Sequence, residues 1–344
     1  MKITSTTATA MVLVLGASQM AQAGDTLRLL TWGGYAPEEV IALFEAESGH
    51  SVEVTLSNNE EMIAKLRATA GGGFDLAQPS QDRIAGPQAE FGIYKPMDLT
   101  QIDASQFITS MLEATKTNTT VDGEIYGVPH VWGTSGLVLD TTAAASVKDY
   151  TDLCSDEVAG KVSYRLKRPT LIGFAFAMGL DPFAAYGDEA AYSEIMDQVE
   201  AKLIECKPNV KTYWGGGDEL MNLIRSGEVV ASMAWDTGGW KLNGEMPNVT
   251  FVAPASGALG WIDTFVLPAK GRADEAAYDW INFVMRPEIS AMITSSAGNF
   301  TASKGADAFA DAALKAQYQA SFSAADVDNI KWYPPVPAGL ETIE

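Results

Sequence analysis

Several aromatic side chains and one carboxylate lie where predicted β-strands begin or end. These residues are Trp32 and Tyr35 after the first strand, Trp132 after a Gly-Val-Pro strand, Trp235 after a later strand, and Trp261 with Asp263 at the start of another. In parallel α/β sheets, the strand ends and their loops form the ligand crevice. Flat rings with a carboxylate suit a cationic or partly apolar small molecule, through cation–π contacts and an ion pair. Core packing is the alternative for any single tryptophan, but the set as a whole favours a binding site.

Motifs for catalysis were sought and not found. The GTSG at 133–136 is one residue short of a G-x-S-x-G nucleophile motif, and the glycine triplets at 71–73 and 215–217 lack the Lys-Ser/Thr of a phosphate-binding loop. His50 and His130 have no visible Ser or Cys partner. Two histidines and two cysteines are too few for a His-rich or Cys-cluster metal site. We therefore expect a protein that is not an enzyme and that uses no metal and no cofactor.

The elements that must position these residues alternate between strand and helix. The chain from 26 to 77 reads strand, helix, strand, helix, strand, with Pro37 opening the first helix and Gly49 ending it. This βαβαβ order predicts a parallel sheet in an α/β fold. Further strands are predicted at 125–129, 136–139, 161–165, 210–214, 229–235 and 262–267. Further helices are predicted near 171–180, 188–205, 217–226, 273–285 and 288–296. No linker or repeat separates two halves, which favours two lobes connected by crossover strands.

Composition limits the possible partners. The chain has 344 residues, 47% of them hydrophobic and 19% charged, which is enough for packed cores and about two domains. There are 23 Lys and Arg against 44 Asp and Glu, so the formal net charge is -21. A surface this acidic repels phosphate backbones and anionic lipids. We expect no nucleic-acid partner and no peripheral membrane role.

The first 23 residues have the pattern of a secretory signal peptide. Lys2 precedes an apolar run at 10–16, and Ala21-Gln22-Ala23 supplies the small residues that signal peptidase needs. Cleavage would leave Gly24 or Asp25 as the new N-terminus. The apolar run is too short to span a bilayer, and no later stretch reaches roughly 18 apolar residues. We expect a soluble, exported protein.

Export makes a disulfide between Cys154 and Cys206 a candidate, because an oxidising compartment allows one. Each cysteine precedes a predicted strand. A bridge closing a loop of this length would stabilise the fold by up to ~4 kcal/mol. Two separate buried thiols are the alternative.

The chain resembles the periplasmic spermidine/putrescine-binding protein family, the substrate-binding components of polyamine-type ABC transporters. The resemblance covers nearly the whole mature chain, and its blocks occur in the family's order. The blocks are WGGY at 32–35, NNEEMIAKL at 58–66, FDLAQPS at 74–80, YGVPHVWGTSGLVLD at 126–140, MAWD at 233–236, WIDTFVLPA at 261–269 and WINFVMRPE at 280–288.

The resemblance implies roles for single residues. The matching positions are Trp32 and Tyr35 for the aromatic pair on the first loop, Ser80 for the small polar residue after the third strand, Trp235 for the ring on the second lobe, and Trp261 with Asp263 for the Trp-x-Asp whose Asp grips an amine.

The implied fold is the α/β, two-lobed periplasmic binding protein fold, type II-like, with two parallel or mixed sheets and crossover hinge strands. The first lobe would take 24–135 and 262–305, and the second 136–261 and 306–344. A small amine-containing solute such as a polyamine would bind between the lobes and close the hinge. An inner-membrane ABC permease would recognise the closed form. We expect a periplasmic monomer.

Two positions depart from the family's polyamine binders. Those proteins carry acidic residues on a strand-to-helix turn of the second lobe, whereas this chain reads YRLKRPT at 164–170, with Arg165, Lys167 and Arg168. The family's tyrosine near the last hinge is replaced by Asn299. A second amine contact is therefore not assured.

The basic turn leads to two hypotheses. If Arg165 or Arg168 faces the cleft, the solute should carry a carboxylate at the end opposite Asp263 and be zwitterionic, because a guanidinium binds a carboxylate and repels an ammonium. Alternatively, these basic side chains face solvent or pair with surface acids. A second amine contact would then come from Asp236, Asp218 or Glu219.

Two other classes of protein remain as alternatives. A secreted carbohydrate-active enzyme could use aromatic rings as sugar platforms, but no isolated acid/base carboxylate pair is visible. An anion or metal-chelate binder on the same fold would need converging Tyr or His ligands, and the chain has two histidines.

Overall fold

The computed structural model describes residues 24–337, 339–340 and 343–344. The predicted signal peptide, residues 1–23, lies outside these ranges. Within them, no helix is long and apolar enough to cross a membrane.

The described residues form a mixed α/β structure. The strands are β1 (Thr26–Thr31), β2 (Ser51–Leu56), β3 (Leu76–Ala77), β4 (Tyr94–Lys95), β5 (Thr120–Val121), β6 (Glu124–Ile125), β7 (Gly127–Asp140), β8 (Val162–Tyr164), β9 (Val210–Tyr213), β10 (Ala231–Trp235), β11 (Val249–Val252), β12 (Leu259–Pro268), β13 (Phe300–Thr301) and β14 (Lys331–Trp332). The helices are α1 (Glu38–Ser48), α2 (Asn59–Thr69), α3 (Ala85–Phe91), α4 (Thr109–Asn118), α5 (Arg168–Ala177), α6 (Glu189–Cys206), α7 (Gly217–Arg225), α8 (Asp236–Glu245), α9 (Asp274–Val284), α10 (Pro287–Ala297), α11 (Ala312–Ser321) and α12 (Ala324–Asp328).

The main sheet is continuous, in the order β2-β1-β3-β12-β7-β10-β8-β9. Strand β1 pairs in parallel with β2 and β3, and β8 pairs in parallel with β9 and β10. The two long strands between these groups, β7 and β12, are antiparallel to each other. The sequence predicted two separate sheets. The structure joins them because β7 and β12 pair along most of their length and each also pairs with a strand of its own side.

Strand β7 differs from its prediction. The sequence predicted two strands, at 125–129 and 136–139, but the backbone stays extended from Gly127 to Asp140. The intervening residues pair with β12, where Trp132 is opposite Ile262 and Gly133 is opposite Trp261. Pairing with a partner more than a hundred residues away keeps this segment extended, and no local pattern reveals it.

The buried residues form clusters, and each cluster combines segments that are separated in the sequence by residues of another cluster. Core residues from Leu27 to Val131 and from Phe265 to Ala302 pack together in two clusters. Those from Leu137 to Leu259, with others beyond 321, form two more. The division into lobes at 24–135 with 262–305 and 136–261 with 306–344 remains our proposal, and the boundaries lie on the long strands β7 and β12.

Helix ends near the site follow local chemistry. Pro37 is the N-cap of α1, and Gly49 ends the helix with a left-handed φ of 77°. Asn58 caps α2 by accepting a hydrogen bond of 3.0 Å from the backbone N–H of Glu61. These caps orient the loops after β1 and β2, which both reach the cavity described below.

Cys154 and Cys206 form a disulfide in the structure, with their Cα atoms 4.7 Å apart. The bond connects a 3₁₀ turn at Tyr150–Cys154 to the last residue of α6. It anchors the helix that packs beside the second group of parallel strands.

Candidate functional site

A cavity of about 410 Å³ lies at the ends of the parallel strands, between residues of the two proposed lobes. Strands β1, β3, β8 and β10 all end at it. Eight of the residues that the sequence singled out line this cavity: Trp32, Tyr35, Ser80, Arg165, Arg168, Trp235, Trp261 and Asp263. The parallel topology, which brings strand ends to one edge of the sheet, accounts for six of them. Trp261 and Asp263 instead reach the cavity from β12, which is antiparallel to its neighbours β3 and β7. That they bind a ligand remains a prediction.

Asp263 is the buried carboxylate of the cavity, with 3% of its surface exposed. It lies on β12 where the pairing register with β7 shifts. The Tyr35 hydroxyl donates to its Oδ2 at 2.6 Å, and the Ser80 hydroxyl donates to its Oδ1 at 2.5 Å. Among the described residues, no Lys, Arg or His forms an ion pair with Asp263. A carboxylate has about four lone-pair sites, so acceptor capacity is left for a ligand.

Burial sets the protonation of Asp263. Removal from water raises its pKa to about 7, although the hydrogen bonds from Ser80 and Tyr35 act in the opposite direction. A positive charge arriving in the cavity would favour the ionised form and lower this pKa again. The carboxylate is therefore arranged to gain from a cation, which the described residues do not provide.

The loop after β1 positions Trp32 and Tyr35. The Trp32 indole N–H donates to the carbonyl of Gln78 at 2.8 Å, which fixes the ring against the end of β3. Gly34 between them has a φ of +87°, and a Cβ there would lie 2.9 Å from the Cα of Ala297. A glycine is therefore required for this loop to pass the end of α10.

His130 lies buried under the aromatic pair. Its Nδ1 is 2.5 Å from the side-chain amide of Gln78, and its ring meets Tyr35 edge-on at 5.5 Å. Burial lowers the pKa of His130 to about 3, so the ring is neutral at physiological pH. It supports Tyr35 from below. None of its recorded contacts is with a Ser or Cys nucleophile.

Trp261 reaches the cavity across β7. The residue opposite it is Gly133, where an added Cβ would lie 2.5 Å from both the Trp261 ring and the Asn299 amide. The indole N–H of Trp261 is buried and has no hydrogen-bond partner in the described part of the chain. Gly133 thus creates the space for this ring, although the sequence analysis assigned it no role.

On the second lobe, the Arg165 guanidinium packs against two indole rings. It lies 5.2 Å from the ring centroids of both Trp214 and Trp235, and these rings are themselves edge-to-face at 5.3 Å. Burial lowers the pKa of Arg165. The residues that the structure describes include no carboxylate in an ion pair with it.

Arg168, the first residue of α5, is 6% exposed and is partly neutralised from within the protein. Its Nε lies 3.3 Å from a carboxylate oxygen of Glu344, and its Nη2 donates to the hydroxyl of Tyr186. Its Nη1 is buried without a hydrogen-bond partner in the described ranges. The alternative in which the basic turn faces solvent is therefore wrong for Arg165 and Arg168, which line the cavity, while pairing with an acid holds for Arg168.

The proposed sources of a second amine contact are not at the cavity. Asp236 is buried but accepts hydrogen bonds from the backbone N–H of Thr134 at 2.8 Å and from the Asn299 amide at 3.0 Å. Burial raises the pKa of Asp236 to about 6. Asp218 and Glu219 are exposed on α7. None of the three lines the cavity.

Trp132 also differs from the other aromatic residues. Its indole N–H donates to the carbonyl of Thr301 at 3.2 Å, and its ring stacks on Phe300 at 5.9 Å. It packs between strands and does not line the cavity. For this tryptophan the core-packing alternative is correct.

The sequence analysis missed several cavity residues. Asn59 is the clearest, because its amide donates to the Ser80 hydroxyl at 2.9 Å and its carbonyl accepts from the Ser80 backbone N–H at 2.9 Å. It therefore orients one of the two donors to Asp263. The others that carry polar groups include Asn58, Glu60, Asp82, Arg83 and Tyr333. The NNEE run at 58–61 was the available signal, while Tyr333 had none because it arrives from the far end of the chain.

Within residues 24–337, 339–340 and 343–344, no group of three or more His, Cys, Asp or Glu side chains is arranged to hold a metal ion. The groups that line the cavity are mostly aromatic rings, hydroxyls, amides and guanidinium groups.

The fold and the cavity define a two-lobed binding protein of the periplasmic type. Residues 39–321 match the family model described as bacterial extracellular solute-binding protein, and the chain belongs to this family. The spermidine/putrescine-binding periplasmic protein 1 of Haemophilus influenzae is 28% identical over 288 residues, covering 82% of this chain and 76% of its own. The corresponding protein of Escherichia coli K12 is 28% identical over 299 residues, covering 83% and 80%.

A solved structure shows the same fold. The spermidine/putrescine ABC transporter substrate-binding protein of Streptococcus pneumoniae superposes with a TM-score of 0.75 at 19% identity, covering 93% of this chain and 97% of its own. The resemblance and the two-lobed α/β class predicted from the sequence are confirmed. The sequence relatives are named as periplasmic binding proteins.

Proposed function

We propose that this protein is the substrate-binding component of an ABC importer and that it captures a small amine-bearing solute in the cavity between its lobes. The observation that carries the proposal is Asp263, a buried carboxylate without a cationic partner among the described residues, in a cavity lined by aromatic rings. The spermidine/putrescine-binding relatives support the amine class and the transport role.

Recognition of the amine would begin at Asp263. An ammonium group would donate to the lone pairs that Tyr35 and Ser80 leave free, forming a charge-assisted hydrogen bond. The two hydroxyl donors hold the carboxylate in one orientation, so little ordering is needed when the solute arrives.

The rings of Trp32, Tyr35, Trp235 and Trp261 would surround the alkyl and ammonium parts of the solute. A cation over an aromatic face gains about 0.5–2 kcal/mol, more where water is excluded. Trp32 and Tyr35 lie on one lobe and Trp235 on the other, so a bound solute contacts both. Such bridging favours the closed arrangement, which an inner-membrane permease would then recognise.

The test uses intrinsic tryptophan fluorescence and calorimetry with a panel of amines, amino acids, sugars and inorganic anions. We expect an amine-bearing solute to bind and to change the emission, because three of the four rings are indoles. Asp263→Asn should weaken that binding by at least tenfold, the scale of a lost charged hydrogen bond. The exposed Asp307→Asn is the matched control and should bind as the parent does. Binding of sugars or anions with no response to any amine would refute the proposal.

Export to the periplasm belongs to the same proposal. We expect the expressed protein to be released from the periplasm of a Gram-negative host as a monomer starting at Gly24 or Asp25. Mass spectrometry of the released protein measures the cleavage point, and light scattering measures the mass in solution. An uncleaved product retained in the cytoplasm would contradict this part.

A further inference from the structure

The charges around the cavity are unequally paired. Its ionisable residues are the carboxylates Glu60, Asp82 and Asp263 and the cations Arg83, Arg165, Lys167 and Arg168. Arg83 lies 3.4 Å from Asp82 and 3.9 Å from Glu60, and Arg168 lies 3.3 Å from Glu344. Asp263 and Arg165 remain, each without an ion-pair partner among the described residues, and Lys167 is likewise free of one.

The unpaired Asp263 and Arg165 belong to different proposed lobes. Asp263 is on β12, beside Tyr35 and Ser80, whereas Arg165 follows β8 and packs against Trp214 and Trp235. A solute that spans the cavity therefore meets a negative group at one end and a positive group at the other. We propose that the solute is zwitterionic: an ω-amino acid or similar compound whose ammonium binds Asp263 and whose carboxylate binds Arg165. This inference rests on the proposed function and narrows it.

The surroundings of Arg165 suit a carboxylate. Its guanidinium packs against two indole rings, and the Thr170 hydroxyl donates to its backbone carbonyl at 2.5 Å, so contacts hold both the side chain and the turn. A fixed planar guanidinium can form two parallel hydrogen bonds with a carboxylate.

A second observation points the same way. Arg168 is nine-tenths buried and lines the cavity, yet its Nη1 has no hydrogen-bond partner in the described part of the molecule. A buried N–H without an acceptor is costly. A carboxylate oxygen between Arg165 and Arg168 would satisfy it, whereas an ammonium would add another donor and another positive charge.

The experiment compares ligands that differ only at one end. Putrescine, 5-aminopentanoate and pentylamine share an ammonium and a short alkyl chain, and end in an ammonium, a carboxylate and a methyl group respectively. The series is repeated with longer and shorter chains, from 4-aminobutanoate to 8-aminooctanoate, together with spermidine. Calorimetry on the parent protein gives the preference directly. We expect an ω-amino acid to bind at least tenfold more tightly than the matching diamine and the matching monoamine.

The variants then assign the preference to its residue. Arg165→Gln should weaken the ω-amino acid by about tenfold to a hundredfold and should leave the diamine unchanged or stronger. Arg165→Lys keeps the positive charge but lacks the planar guanidinium that can form two parallel hydrogen bonds. Its affinity for the ω-amino acid should lie between those of the parent and of Arg165→Gln. Arg225→Gln removes an exposed arginine of the same lobe that pairs with Glu245 outside the cavity, and should change nothing. Thermal melting checks that each variant is folded.

Each outcome is decisive. If putrescine or spermidine binds more tightly than every ω-amino acid, the zwitterion is refuted while the amine-binding function stands. If ω-amino acids bind best but Arg165→Gln has no effect, the assignment of the carboxylate to Arg165 is refuted. If no amine of any kind binds, the proposed function itself fails, and this inference with it.

Discussion

Solute binding should depend on pH through Asp263. Burial raises the pKa of this carboxylate to about 7 in the empty site, and the ionised form is the one that attracts an ammonium. The ammonium of a primary amine keeps its charge throughout this range, as a lysine does with its pKa near 10.4. At pH 5 roughly 1% of Asp263 is ionised, and at pH 8 roughly 90%. Because the apparent Kd scales inversely with the competent fraction, binding should weaken by roughly one-hundredfold from pH 8 to pH 5.

The slope of the apparent Kd against pH is the quantity that tests the role of Asp263. The apparent Kd should rise tenfold for each unit of pH below the pKa, since one proton competes with one ligand. Calorimetry in two buffers of different ionisation enthalpy should also detect proton release, which approaches one proton per ligand at pH 5–6. The other acids near the site are Asp82 and Asp236, whose pKa values burial also raises, and Glu60. Asp263→Asn separates them, because it removes the titration of Asp263 alone.

Two results would refute this reasoning. One is an affinity that is flat between pH 5 and pH 8 in the parent protein. The other is an unchanged pH profile in Asp263→Asn, which would assign the proton to a different group.

Three further predictions concern stability and packing. Asp263 has a folded-state pKa above its ordinary value, so the empty protein should lose stability as the pH rises from about 4 to 7. Asp263→Asn should therefore melt at a higher temperature than the parent at pH 8, and its melting temperature should depend less on pH. An equal or lower melting temperature at pH 8 would contradict this. Gly133→Ala places a Cβ 2.5 Å from the Trp261 ring, so the variant should bind the solute at least tenfold more weakly and its tryptophan fluorescence should shift. Its far-ultraviolet circular dichroism spectrum should stay normal. Unchanged binding would show that the ring can move without cost. Replacing Cys154 and Cys206 by Ser removes a crosslink between residues 52 apart and should lower the free energy of unfolding, measured by urea titration, by about 4 kcal/mol. The reduced parent should match the double variant. Identical unfolding midpoints for the oxidised parent and the double variant would argue against a stabilising bond.

The sequence by itself determined the local elements and the class of site. Helix α1 begins and ends at its capping residues Pro37 and Gly49, because these signals act within a few residues. The alternation of strand and helix implied a parallel sheet, and a parallel sheet brings its strand ends together. For this reason Trp32, Tyr35 and Trp235 could be assigned to one cavity before any contact was known.

Three features required the tertiary structure, because each depends on residues far apart in the chain. Trp132 and Trp235 both follow predicted strands, yet only the second lines the cavity, since the neighbours of Trp132 are Phe300 and Thr301. The basic turn could not be interpreted from its own residues, because Arg168 is paired with Glu344, which is distant from it in the sequence.

The raised pKa of Asp263 likewise depends on burial among segments that are far apart in the chain. Its hydroxyl partners, Tyr35 and Ser80, lie 228 and 183 residues away. Local sequence encodes backbone preference and amphipathicity, which act over one or two turns. The pairing and desolvation of charges depend on which distant segments meet, and only the folded chain decides that.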